Sequence, residues 1–239
     1  MVQLEAILSP FEEMTNVLSG ESYVTASLII PNTHRLIRAL NNLQLTSPGD
    51  AVREFLAKIT QATIDRMLIY EQKSVSRGAT FTNPHFKKAA FISQTRAEEA
   101  RVQIENEVRA QLQRTQVTQD SEEDIPRPYA GLLSFLNEKV DDSRRSTTST
   151  ADAAILVRQY VELLPIDNKF NPITYWSNAD TQVQALAAVA EYYLCVPATS
   201  VPSERLFSKA GYFISERRIS LSPCKAKMLV FLHGNDKFV

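Results

Sequence analysis

The side chains whose types and spacing could do chemistry lie near the C-terminus: Glu204 and Arg205 in Ser203-Glu204-Arg205, then Arg217-Arg218 with Lys225 and Lys227. A carboxylate in the first turn of a helix suits the positive end of the helix dipole and can pair with Arg205 or Arg217. Arg205 reads as a partly buried residue bonding backbone carbonyls. The four basic residues form the best local basic patch. It reads as a solvated face or as a contact for a DNA backbone, and the former is the plainer choice. His34, His85 and His233 do not cluster, and Cys195 and Cys224 form no CxxC pair, so no metal site is expected.

These residues need helices to hold them. Ser200 stands where an N-cap would, and Pro202 falls in the first turn, where a missing N–H costs nothing. Leu206, Phe207 and Ala210 supply an apolar face, and Gly211 is placed for a left-handed C-cap. The pattern predicts a helix over 201–210. A second starts at Ser222-Pro223 and runs through Met228, Leu229, Phe231 and Leu232 to about 233, with Arg217-Arg218 in the connection.

Upstream the chain reads as a succession of helices. Leu4, Ile7, Leu8, Phe11, Met14 and Leu18 recur at helical spacing, and Ser19-Gly20 stops them. Leu28, Ile29, Leu36, Ile37 and Leu40 line the next segment, with Pro31 as a bend or restart. Ser47-Pro48 opens a helix carrying Phe55, Leu56, Ile59, Ile64 and Leu68 to about Gln72. Gln94 to about Thr115 is heavily charged, yet Ala97, Ala100, Ile104, Val108 and Leu112 keep one narrow apolar face. An acidic stretch, Asp120 to Asp124, and Pro126 and Pro128 follow; Tyr129 to Val140 reads as a short helix. Asp141 to Thr150, rich in Ser and Thr, is expected to be loosely held. Order resumes at Asp152 with a helix ending before Pro165, and a further helix covers Thr181 to Leu194. Trp176, the single tryptophan, is expected to anchor the core.

The whole is an all-α reading for 239 residues, 44% of them hydrophobic and only 6 of them Gly. A net charge of −1 provides no global basic field, so any nucleic-acid contact must be local. Two cysteines suit a reducing compartment, and the apolar runs are too short for a bilayer, so no membrane partner is expected.

Several of these segments carry a family pattern. Pro197-Ala-Thr-Ser200, Ser203-Glu-Arg-x-Phe-Ser208, Ala210-Gly211, Arg218-x-x-Leu221-x-Pro223 and Val230-Phe-Leu232 resemble the C-terminal dimerisation region of hAT-superfamily transposases and of the zinc finger BED domain-containing proteins derived from them. Phe170-x-Pro172-x-x-Tyr175-Trp176 is similar to the same region. Asn83-Pro-His-Phe-Lys87 lies where the family has Asp-Pro-Arg-Phe-Lys, and is read as packing against neighbouring helices. The resemblance implies the C-terminal part of an RNase H-like transposase. Residues 1–118 would be helical body, insertion-domain-like; 119–150 an acidic and then Ser/Thr-rich linker; and 151–235 the dimerisation region.

By the same resemblance Glu204 matches the third acid of an Asp-Asp-Glu set that holds two divalent metals. The two Asp belong to strands that no segment here resembles, and no BED-finger ligands are present. The expectation is therefore a non-catalytic chain without cofactor, with Mg²⁺ entering only if a transposase core completes the site. Its partner would be a second copy or a related hAT or BED-finger protein. DNA would be bound weakly or through other domains, and the nucleus is the implied compartment. The dimerisation motif would comprise Trp176, Ser203, Glu204, Arg205, Phe207, Ser208, Gly211, Phe231 and Leu232. Trp176 and Phe207 are expected to be buried in the monomer, and Phe231 to face outward from a last helix covered on one side by residues 181–194. The alternatives are a catalytic transposase piece contributing Glu204, or a fragment of a BED-finger regulator acting in transcription or SUMO conjugation.

Overall fold

The computed structural model describes residues 2–46, 49–119, 134–167, 169–213 and 222–235. Among the described residues every element is helical and there is no strand. The α-helices are α1 (Val2–Leu18), α2 (Ile29–Thr46), α3 (Asp50–Met67), α4 (Ser74–Thr82), α5 (Gln94–Gln119), α6 (Ser134–Glu162), α7 (Pro172–Ser177), α8 (Gln184–Leu194), α9 (Val201–Phe213) and α10 (Pro223–Gly234). Short 3-10 turns at Ala26–Leu28, Leu68–Glu71, Lys87–Ala90 and Thr181–Val183 join some of them. Pro31 falls in the first turn of α2, directly after the first 3-10 turn, so it marks a restart. Ser47-Pro48 lies outside the described residues; Gly49 takes the N-cap position of α3.

Two apolar clusters hold the chain together. The smaller joins α1, α2 and α3 through Ile7, Met14, Leu18, Leu36, Leu40 and Leu56. The larger is built around α4, whose residues Ser76 and Gly78 to Thr82 are all buried. Small side chains let the neighbours come close. A Cβ on Gly78 would stand 2.7 Å from the ring of Tyr193 on α8, so this contact needs glycine. The narrow stripe of α5 points into the same cluster: Ala100, Ile104 and Val108 are fully buried there, in company with Val157 and Tyr160 of α6.

One expectation is corrected. Asp141–Thr150 is helical, part of an unbroken α6 that begins at Ser134 and passes through the expected end of a short helix at Val140. No Pro or Gly lies between 134 and 162. Once a helix is nucleated, each further residue adds a hydrogen bond, so a polar stretch continues from an anchored neighbour. Ser149 is completely buried, so this position near the end of the stretch packs against the fold. The acidic run Asp120–Asp124 and Pro126 and Pro128 lie outside the described residues.

Candidate dimerisation surface

The residues from α6 to α10 divide into a part built into the core and a part that projects. The end of α6, α7 and α8 belong to the core. Trp176 is 2% exposed, and its indole Nε1 donates to the carbonyl of Thr82 at 2.9 Å. Its ring lies 5.1 Å from both Tyr160 and Tyr175. Asn171 caps α7 with its side chain, accepting from the N–H of Ile173, and Pro172 opens the first turn.

The Asn83–Lys87 segment locks this region from the other side. Asn83 donates to Ser27 Oγ at 2.8 Å. The two ring nitrogens of His85 stand 3.2 Å from the carbonyl of Ile166 and 2.9 Å from that of Phe170. Lys87 adopts a left-handed φ of 49° and is buried. Its Nζ donates to the carbonyls of Tyr160 (2.7 Å) and Leu163 (2.6 Å) and lies 4.7 Å from the centre of the Tyr160 ring. A cation at these last carbonyls of α6 complements the negative end of the helix dipole. Burial lowers the Lys87 pKa from its ordinary value and raises that of Tyr160 well above its own. The spacing of the segment announced packing; it did not announce that Lys87 caps α6.

Val196 and Ala198 still pack against the two clusters, and beyond them the chain leaves the core. The N–H of Ala198 donates to Thr25 Oγ1 at 2.9 Å, and Arg205 Nη1 reaches the carbonyl of Ser19 (3.1 Å) and Glu21 Oε1 (2.9 Å). These contacts fix the root of α9. Arg205 does bond a backbone carbonyl, but from an exposed position. Ser203, Glu204 and Ser208 are exposed, and the Ser200 hydroxyl donates to the Glu204 carboxylate across the first turn. Among the described residues no group of three or more His, Cys, Asp or Glu could hold a metal ion. Glu204 with a single hydroxyl neighbour does not fit a two-metal centre by itself, because hard cations need several oxygen ligands.

Three expectations about this arm are corrected. Phe207 is 68% exposed rather than buried. Leu206 is the half-buried neighbour and lies against α10, where a Cβ on Gly234 would stand 3.3 Å from its Cδ1. Phe207, one step round the helix, faces away. Gly211 does not cap α9: the helix continues to Phe213, and no described glycine has a positive φ. And α10 packs on α9 rather than on residues 181–194.

The result is an apolar helix covered along one side. Met228, Leu229, Val230, Phe231 and Leu232 are consecutive, so they point all round α10 and no single neighbour can cover them. Phe231 is 69% exposed, Met228 61% and Leu232 53%. Lys225 and Lys227 are exposed on α10, but at i and i+2 they do not share a face; Arg217 and Arg218 lie outside the described residues. No helix among the described residues is long and apolar enough to cross a membrane.

Residues 156–235 match the hAT family C-terminal dimerisation region. The chain is also similar to human zinc finger BED domain-containing protein 4, with 25% identity over 210 residues. That similarity covers 84% of this chain and 17% of the relative, so the chain spans a small fraction of the relative's length.

Proposed function

We propose that this hAT-family chain is a dimerisation module, in which the α9–α10 arm of one copy buries its apolar face against another copy or a related hAT or BED-finger protein. The observation that supports this reading is the exposure of Phe207, Met228, Phe231 and Leu232 together on one projecting arm, inside the stretch that matches the dimerisation region. Such a concentration of large exposed apolar side chains on two adjoining helices suits a binding surface, and aromatic anchors dominate interfaces.

The module is proposed to be transposon-derived and non-catalytic, to need no cofactor, and to act in the nucleus in the company of BED-finger relatives. An RNase H-like core would lie in the part of such a protein that this chain does not resemble. Contacts to DNA through Lys225 and Lys227 would be weak and of backbone type. Analytical ultracentrifugation of Phe207→Ala and Phe231→Ala beside the parent tests the central reading. Both variants should dissociate at concentrations where the parent is dimeric; two variants as dimeric as the parent would refute it.

A second reading rests on Glu204. Its carboxylate is solvent-facing at the start of α9, as a ligand awaiting further carboxylates would be. Incubating the chain with Mg²⁺ or Mn²⁺ and DNA carrying transposon ends distinguishes the two. No nicking is the expected result, and cleavage abolished by Glu204→Ala would establish the catalytic reading.

A further inference from the structure

A groove of about 760 Å³ lies between the end of α6 and the α7–α8 segment. Trp176 and Leu186, both buried, form its base, with half-buried Tyr175 and exposed Leu163 beside them. Two exposed carboxylates, Glu162 and Asp180, stand among its lining. Glu162 is paired with Arg158 at 3.0 Å. Asp180 precedes the Thr181–Val183 turn without a side-chain capping hydrogen bond, so its charge is left for another group.

The arm carries a matching pair. Lys227 and Phe231 are both exposed and lie four residues apart on α10, one above the other on the same face. We infer that the groove is the seat for Phe231 of a second copy, with Lys227 of that copy set against Asp180. This inference rests on the dimerisation reading and says which surface the arm engages. The volume suits a few large side chains. Phe231 would meet the half-buried ring of Tyr175, which is held in place edge to face at 5.1 Å on the buried Trp176. The signs of the two charges are opposite, which fixes register across an interface. A second copy is the favoured occupant because each chain offers one arm and one groove. A mutual exchange uses both, giving a closed two-fold dimer in which residue i meets j and j meets i.

The test is a charge exchange in the full chain, read by sedimentation equilibrium with the thermal melt of each variant alongside. Asp180 and Lys227 are exposed, so both reversals should melt like the parent. Asp180→Lys alone and Lys227→Asp alone should each weaken dimerisation by about tenfold or more, since like charges are brought together. An equimolar mixture of the two variants should recover the parent's dimer, because both arm–groove contacts then join opposite charges. If Phe231→Ala weakens the dimer while Asp180→Lys does not, the arm engages another surface and the groove assignment falls, leaving the dimerisation reading in place. Two reversals that weaken the dimer without recovery in the mixture also overturn the pairing. If Phe231→Ala changes nothing, the groove assignment falls, and the dimerisation reading falls with it only when Phe207→Ala is also as dimeric as the parent.

Discussion

The indole Nε1 of Trp176 and the backbone carbonyl of Thr82 share a buried 2.9 Å hydrogen bond across 94 residues of chain. It pins α7 to the last residue of α4, so the first part of the stretch that matches the dimerisation region is structurally continuous with the upstream helices. The ring fills space between Tyr160 and Tyr175, and the N–H satisfies a carbonyl that water does not reach.

Trp176→Ala is therefore expected to cost about 3–5 kcal/mol through lost burial and the cavity left behind. Trp176→Phe retains most of the apolar contact but leaves the Thr82 carbonyl unpaired, for about 1–3 kcal/mol. Urea unfolding of both variants checks this. A Trp176→Phe variant as stable as the parent would mean that the hydrogen bond contributes nothing.

Gly78→Ala places a methyl 2.7 Å from the Tyr193 ring. That ring cannot retreat freely, because its hydroxyl donates to Glu107 and accepts from Gln103 Nε2 at 2.7 Å. The expected cost is about 1–3 kcal/mol from overpacking. In a Tyr193→Ala background the same substitution should be nearly neutral, and a double-mutant cycle measures the coupling. Additive losses would contradict the contact.

Alkaline pH should unfold the chain sooner than its composition suggests. Burial raises the pKa of Tyr160, Tyr175 and Tyr193, the last assisted by its hydrogen bond to Glu107. Unfolded tyrosine ionises near about 10, so above that pH the unfolded chain loses protons that the folded chain retains, and stability falls. Lys87, with its lowered pKa, acts in the opposite sense: between its folded value and about 10.4 it adds stability as pH rises. Three phenols outweigh one amine. Denaturant titrations from neutrality to strongly alkaline pH should show a decline beginning near the ordinary tyrosine range, shallower in Tyr160→Phe. A flat profile in the parent would contradict the burial of these hydroxyls.

Phe207→Ala should separate association from stability. The side chain is largely exposed, so the melt should shift by no more than about 0.5 kcal/mol, as for surface substitutions generally. Dimer dissociation should increase markedly in the same sample. A large loss of stability in a demonstrably monomeric preparation would place Phe207 in the monomer core after all.

Much of the helical order was legible in the sequence because it is written in local periodicity. The stripe from Ala97 to Leu112 on α5 is an example: its period alone predicts the buried face. What was not legible depends on neighbours. Leu206 and Phe207 are adjacent and both apolar, and only the position of α10 decides which one is covered. The 141–150 stretch has the composition of a loose segment, yet it sits between helical ends without a breaker, and Ser149 is buried by tertiary contact. Gly211 has the right type for a cap, but the helix runs on through Phe213. On the candidate surface, five consecutive apolar residues on α10 were visible; that α9 covers one side of them and leaves the rest exposed was not.

The mass of the parent chain in solution, measured by sedimentation equilibrium across a wide range of concentration, tests the central claim most directly. A reversible approach to twice the 26.9 kDa chain mass, moved to higher concentration by Phe231→Ala, is the predicted result. A chain that remains monomeric throughout, with its α9–α10 arm folded and exposed, would contradict it.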